Sequence, residues 1–188
     1  MNQSDHKGFA STALDVVHSW AMFRLLRRTI RGPQGDVFER TYVSTPGAVG
    51  VVAMTPDNHI VLVSQYRSSF NDFVLEIPAG MRDVVGEDPA RTAWRELAEE
   101  TGYIPGTVEH LGSCLSSPGV TDSVVELFIA RDVVEGDSAP EGPEELDMTV
   151  LLIPFTEALA MVEQGEITDA KSVVGILLTA RRFHDLGL

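Results

Sequence analysis

Residues 80–103 read GMRDVVGEDPARTAWRELAEETGY, and this stretch constrains the chain more than any other. Asp88-Pro89 predicts a helix start: an Asp to accept free backbone N–H groups, then Pro at the first helical position. Gly102 predicts the stop. Between them Ala90, Ala93, Trp94 and Leu97 recur at helical spacing and predict the buried stripe. At about 100° per residue, Glu96, Glu99 and Glu100 share another face, roughly 110° round from that stripe. Glu96 and Glu100 are four apart, so their like charges cost about a few tenths of a kcal/mol. Arg95 offsets part of this. A hard cation would offset far more, because Mg²⁺ binds through carboxylates together with substrate phosphates. A glutamate triplet alone is more often a solvated surface.

The charge balance narrows the partners. Lys and Arg number 14 against 28 Asp and Glu, a net charge of -14 over 188 residues. Such a surface repels nucleic-acid backbones and anionic membranes, so neither is an expected partner. A small phosphate-bearing substrate would need cations and local arginines to enter. The length suits one domain or slightly more. Cys114 is the lone cysteine, so no internal disulfide forms, as befits a reducing cytoplasm. The first twenty residues lack the basic start and apolar run of a signal peptide, and no apolar stretch approaches the ~20 residues of a membrane span. The expected location is cytoplasmic.

Taken in order, residues 1 to about 17 are polar and small and predict a frayed or weakly helical start. Residues 20–30 and 37–43 flank Gly32-Pro33-Gln34-Gly35-Asp36, a hairpin signal that gathers Arg24, Arg27, Arg28, Arg31 and Arg40. Ala48–Met54 is a nearly continuous apolar run and predicts a buried strand. Ile60–Gln65 returns as a second strand, and Val74–Ile77 is a short strand leading into Pro78-Ala79-Gly80. Thr107–Leu115 and Ser123–Val133 predict strands on either side of a Ser-Pro-Gly turn. Residues 135–147 form an acidic loop. Met148–Phe155 predicts the last strand, Thr156–Gln164 a helix, and Asp169 to about Phe183 a final helix with Val174, Ile176, Leu177 and Leu178 in the core. Strands, one central helix, more strands and terminal helices make an α+β fold.

The stretch Arg95-Glu96-Leu97-Ala98-Glu99-Glu100-Thr101-Gly102-Tyr103, with Glu87 eight residues before Arg95, resembles the signature of the Nudix hydrolases. These enzymes split a nucleoside diphosphate from the group it carries. One departure is a spacer of six residues between Gly80 and Glu87 in place of the usual five. The resemblance extends over roughly residues 20–180 and points to the ADP-ribose pyrophosphatase branch. It is carried by Gln65-Tyr66-Arg67, by Glu76-Ile77-Pro78-Ala79-Gly80, by the Pro118 turn, and by the tail from Gly165 to Leu178. Ser123 departs from that branch, where many members place a Glu.

The resemblance implies an α/β/α sandwich with a mixed sheet over residues 46–188. It also implies an added N-terminal hairpin subdomain over 1–45 that builds a homodimer. By the same resemblance Glu96, Glu99, Glu100 and the Ala79 carbonyl would hold two or three Mg²⁺ (or Mn²⁺) ions. Arg67, Gly80, Met81, Pro118 and Gly119 would line the substrate, and Arg40 would reach across the dimer. The general base would come from Glu144 or Glu145 in the acidic loop, with Glu141 less well aligned, or else from Glu99. The expected reaction is metal-dependent hydrolysis of ADP-ribose to AMP and ribose 5-phosphate. Competing expectations are a nucleoside diphosphate-sugar hydrolase of the GDP-mannose or UDP-glucose type, and a nucleotide-sensing module that has lost catalysis.

Overall fold

The computed structural model describes residues 7–136 and 147–186. The chain divides into two compact units: residues 1–46 with 117–123, and residues 47–116 with 124–188.

The first unit is a three-stranded antiparallel sheet, β1 (Ala10–Trp20), β2 (Phe23–Arg31) and β3 (Val37–Ser44), in that order. The hairpin of β2 and β3 runs from Arg24 opposite Ser44 to Arg31 opposite Val37. The expectation of a frayed or weakly helical start is corrected here, because β1 is a long strand paired along β2. Its register shifts between Ser11 and Ala13 and again between Val16 and His18. Such bulges break the two-residue alternation by which a strand is recognised. Every residue of β1 is exposed, Leu14, Val16, Val17 and Trp20 included. Residues 117–123 return to this unit, where Val43 N–H donates to the Val120 carbonyl (2.8 Å) and Thr45 N–H to Asp122 Oδ1 (2.9 Å).

The second unit is built on a mixed sheet. Its strands are β4 (Ala48–Met54), β5 (His59–Arg67), β6 (Asp72–Glu76), β7 (Ala79–Met81), β9 (Thr107–Leu115), β10 (Val124–Arg131) and β12 (Thr149–Pro154). The order is β12-β5-β4-β10-β9, with β6 paired to β5 and β7 to β4. Two short strands, β8 (Tyr103–Ile104) and β11 (Val134–Glu135), pair apart from it. The central pair, β4 and β10, is parallel and the other pairs are antiparallel. Because strand side chains alternate, β4 feeds two cores. Val49, Val51 and Ala53 pack with Ala93 and Leu97 of α1 (Pro89–Thr101). Val52 and Met54 pack with Phe155 and Ala158 of α2 (Phe155–Gln164) and Ile176 of α3 (Ala170–Leu186). A sheet covered on both faces explains why β4 reads as a continuous apolar run rather than an alternating one. No helix among the described residues is long and apolar enough to cross a membrane.

α3 corrects part of the expected core. Ile176 is fully buried and Val174 half-buried, but Leu177 and Leu178 are exposed. The buried face is Ser172, Gly175, Ile176 and Thr179, a helical spacing that consecutive leucines cannot share. Ile176→Ala should therefore lower unfolding free energy by about 2–5 kcal/mol, and Leu177→Ala by less than about 1 kcal/mol. Urea titration of the two variants checks this contrast; equal losses would contradict it.

Candidate functional site

The site begins with the ends of α1. Asp88 has extended backbone and its Oδ1 accepts from Ala90 N–H at 2.8 Å, with Pro89 opening the helix. Gly102 ends it at φ 76°, in the left-handed region, and its N–H returns to the Ala98 carbonyl (2.9 Å). Ala93 and Leu97 are fully buried and fix the helix's rotation on the sheet. Trp94 corrects the expected stripe: it is 43% exposed. It lies about 100° round from Ala93, at the edge of the ridge.

This rotation turns the glutamates toward β7. Val49 stands opposite Gly80 in the β4–β7 ladder. A Cβ on Gly80 would lie 2.0 Å from Glu96 Cδ, so only glycine leaves room for that carboxyl. Glu100, also buried, reaches the same strand, accepting at Oε2 from Ala79 N–H at 3.0 Å. Met81 closes the ladder opposite Ala48. The spacer that follows has an exposed tip. Val85 is fully exposed, and Gly86, at φ 81°, has no atom within 4 Å of the point where a Cβ would stand.

Arg95 gathers the acids. Its Nη1 donates to Glu99 Oε2 at 2.8 Å. Its Nη2 lies 2.8 Å from Glu96 Oε1, 3.4 Å from Asp83 Oδ1 and 3.5 Å from Glu87 Oε2. Thr92 Oγ1 donates to the same Glu87 oxygen at 2.9 Å. Burial works against the Arg95 charge, but Glu96, Glu99 and Glu87 more than restore it and hold its proton affinity above the ordinary value. Glu96 is pushed up to about 7: burial raises it, Arg95 opposes, and Glu99 and Asp83 raise it further.

A second network adjoins this one. Arg67 donates from Nε and Nη2 to the two oxygens of Glu76 at 2.6 and 2.7 Å, and Glu100 adds to the negative field at Arg67. Lys171 Nζ donates to Glu76 Oε2 as well, and to Asp169 Oδ2 at 3.0 Å. Arg67, Glu76, Asp169 and Lys171 line a cleft of about 410 Å³ with Ser69 and Phe70. The sequence reading picked out Arg67 and missed Glu76, Lys171, Glu87 and Asp83 as members. A signal for Lys171 was present, since it is one of two lysines in the chain and ends a run from Asp132 to Ala170 without a basic residue.

The remaining predicted residues lie elsewhere. Arg40 is on β3 in the first unit, with Nη1 on the Glu39 carbonyl (2.8 Å) and its guanidinium over the Phe38 ring. Pro118 and Gly119 belong to the 117–123 turn, where the Ser117 carbonyl accepts from Val120 and Thr121 N–H. Glu141, Glu144 and Glu145 lie outside the described residues.

Glu96, Glu99 and Glu100 offer only oxygen donors, the kind that hard divalent cations take. The space at Gly80 is filled by one of those carboxyls, and by the chemistry of their donors the three glutamates suit such an ion. As they stand, no three Asp, Glu, His or Cys side chains among the described residues are gathered closely enough to hold one. Arg95 supplies the countercharge instead.

The NUDIX domain family model matches residues 44–173. The chain is 36% identical over 169 residues to an ADP-ribose pyrophosphatase of Mycobacterium tuberculosis, covering 90% of this chain and 82% of that protein. It is 38% identical over 162 residues to a methanol dehydrogenase activator of Bacillus methanolicus, covering 86% and 87%. The fold matches the crystal structure of an ADP compounds hydrolase with a TM-score of 0.83 at 20% identity, over 95% of this chain and 96% of that one.

The raised Glu96 has a thermodynamic signature. Its folded value of about 7 lies above the ordinary 4.5, so the folded state holds the extra proton. The stability it contributes is present below about 4.5 and is lost as pH rises through about 7. With divalent ions chelated, Glu96→Gln should melt above the wild type at pH 8 and lose that advantage at pH 4.5. Thermal melts at both values check this; a variant less stable than wild type at pH 8 would contradict it.

Proposed function

The chain belongs to the NUDIX domain family, and we propose that it hydrolyses the pyrophosphate of ADP-ribose to AMP and ribose 5-phosphate. It is a Nudix hydrolase. The observation that carries the substrate is its 36% identity, over nine-tenths of the chain, to an ADP-ribose pyrophosphatase.

Nudix hydrolases generally need divalent metal ions, and here Glu96, Glu99, Glu100 and the Ala79 carbonyl would hold them, as two or three Mg²⁺ or Mn²⁺. Such ions supply polarised phosphoryl oxygens, a more acidic water and charge neutralisation at the leaving oxygen. The chain's own residues do the rest. Arg95 orients Glu96 and Glu99. Gly80 and Met81 lend backbone along the pyrophosphate. Arg67, held by Glu76 through Nε and Nη2, keeps Nη1 for the substrate. By the family resemblance Arg40 would reach the substrate of a partner copy across a dimer, and Pro118 and Gly119 would also bind substrate. Water adds to phosphorus, the bridging P–O bond breaks, and a carboxylate takes the proton of the attacking water. Glu144 is the first choice for that carboxylate, ahead of Glu145 and Glu99, because it aligns with the base position implied by the family resemblance.

Two features support the wider setting. The fully exposed β1, with Leu14, Val16 and Trp20 on an edge strand, favours a second copy of this chain as partner. The lone Cys114 and the net charge of -14 favour a cytoplasmic enzyme acting on a small nucleotide, without nucleic-acid or membrane partners.

With Mg²⁺ or Mn²⁺ the protein should release AMP from ADP-ribose, read by chromatography beside GDP-mannose and UDP-glucose. Glu100→Gln and Glu144→Gln should each cut kcat by about a hundredfold or more. Turnover of a nucleotide sugar in place of ADP-ribose would overturn the substrate. No turnover of any of them would favour a sensing module. For the assembly, light scattering at assay concentration should give twice the chain mass of 20.5 kDa, and Val16→Glu should halve it; a wild-type monomer would reject the dimer.

A further inference from the structure

Glu76 is one of the most deeply buried charges in the second unit, with a side chain only 4% exposed. Burial pushes its carboxyl up, yet the Arg67 and Lys171 cations outweigh that and leave it below the ordinary carboxylate range. The three side chains come from separate places in the chain. Arg67 ends β5, Glu76 ends β6, and Lys171 opens α3, 95 residues after Glu76.

The start of α3 is itself anchored. Asp169 caps it, accepting from Ser172 N–H at 3.0 Å and from Ser172 Oγ at 2.5 Å. Ser172 Oγ in turn accepts from Ile77 N–H at 2.8 Å, next to Glu76. Lys171 is therefore attached to a fixed helix end, next in sequence to Ser172, whose hydroxyl holds Ile77 beside Glu76. It spends two of its three donors on Asp169 and Glu76. Glu76 then has one oxygen shared between Lys171 and Arg67 and the other on Arg67 Nε. A carboxylate held from both sides leaves the guanidinium fork one orientation. That orientation commits Nε and Nη2 and leaves Nη1 for the cleft of about 410 Å³ that Arg67 lines.

We propose that Lys171 is a positioning residue: by tethering Glu76 to the start of α3 it fixes the Arg67 guanidinium that meets the substrate. Its own ammonium stays on Glu76 and Asp169. Without it, Glu76 keeps only Arg67, the pair swings together, and Nη1 loses its aim. The inference rests on the proposed substrate for its kinetic arm alone.

The test is a double-mutant cycle with a spectroscopic arm. Lys171→Met should raise the KM for ADP-ribose by about tenfold, as expected for a lost charged hydrogen bond, with a smaller change in kcat. In an Arg67→Ala background the same substitution should add nothing, because there is no guanidinium left to aim. Lys171→Arg should recover part of the loss. Independently of any substrate, the Arg67 Nε–H resonance in a ¹H–¹⁵N spectrum, assigned by its loss in Arg67→Ala, should be sharp in the wild type. It should broaden or exchange away in Lys171→Met. Should Lys171→Met fail to fold, Lys171→Gln carries the same comparisons. An additive cycle would mean that Lys171 meets substrate directly or acts globally, and would overturn the proposal. An unchanged Arg67 Nε–H signal would overturn it even if ADP-ribose proved not to be the substrate.

Discussion

One acid on α1 needs the space that one glycine leaves. Glu96 can enter the second unit only because Gly80 has no side chain, and Glu100 can bond Ala79 only because the same strand lies against the same helix face. Charged groups so placed are costly unless they are paired. Arg95 pairs two of the helix's glutamates and draws in Asp83 from the spacer and Glu87 from just before the helix cap. The packing of α1 on β4, the pairing of β4 with β7 and the electrostatics of the site thus meet at one contact between a backbone and a carboxyl. An alanine at position 80 would have to move the strand, turn the helix or expel Glu96.

The sheet explains how two charged networks stand side by side without sharing a helix. β4 presents alternate residues to α1 and to the pair α2 and α3. α1 brings glutamates from one face, and α3 brings Asp169, Lys171 and Ser172 from the other. They converge where β6 passes into β7, the segment from Glu76 to Ala79 that carries Arg67's partner at one end and Glu100's donor at the other. Strand geometry turns successive residues to opposite sides. A single extended segment can therefore serve both helices.

What the sequence made legible was local. The caps of α1, its Ala93–Leu97 ridge, the β2–β3 hairpin and the buried β4 are each written within a few residues, and each was read there. β1 was missed because its two bulges disrupt the alternation that marks a strand. Trp94, Leu177 and Leu178 are apolar yet exposed, because a packed helix face is narrower than the apolar residues in the sequence suggest. The Arg67–Glu76–Lys171 arrangement could not be read at all from spacing, since its members are brought together by the β5–β6 pairing and by a helix that begins 95 residues after Glu76. Of the predicted site, Glu96, Glu99, Glu100, Gly80 and Met81 stand along α1 and β7, inside the stretch of residues 80–103, and Ala79 directly precedes it.

The spacer between Gly80 and Glu87 contains Val85, fully exposed, and Gly86, with open space around it. Its two ends are held, by Arg82 N–H on the Gly47 carbonyl and by Glu87 beside Arg95, while its tip is an exposed turn closed by Glu87 N–H on the Val84 carbonyl at 3.2 Å. Length there is consequently a free variable, whereas the seven residues from Glu87 to Arg95 run through a helix cap and two helical turns and are not. A search pattern that demands a rigid first interval would overlook chains of this kind. The same tip, where Val85 is fully exposed, is a place where a fluorophore or an affinity handle can be grafted.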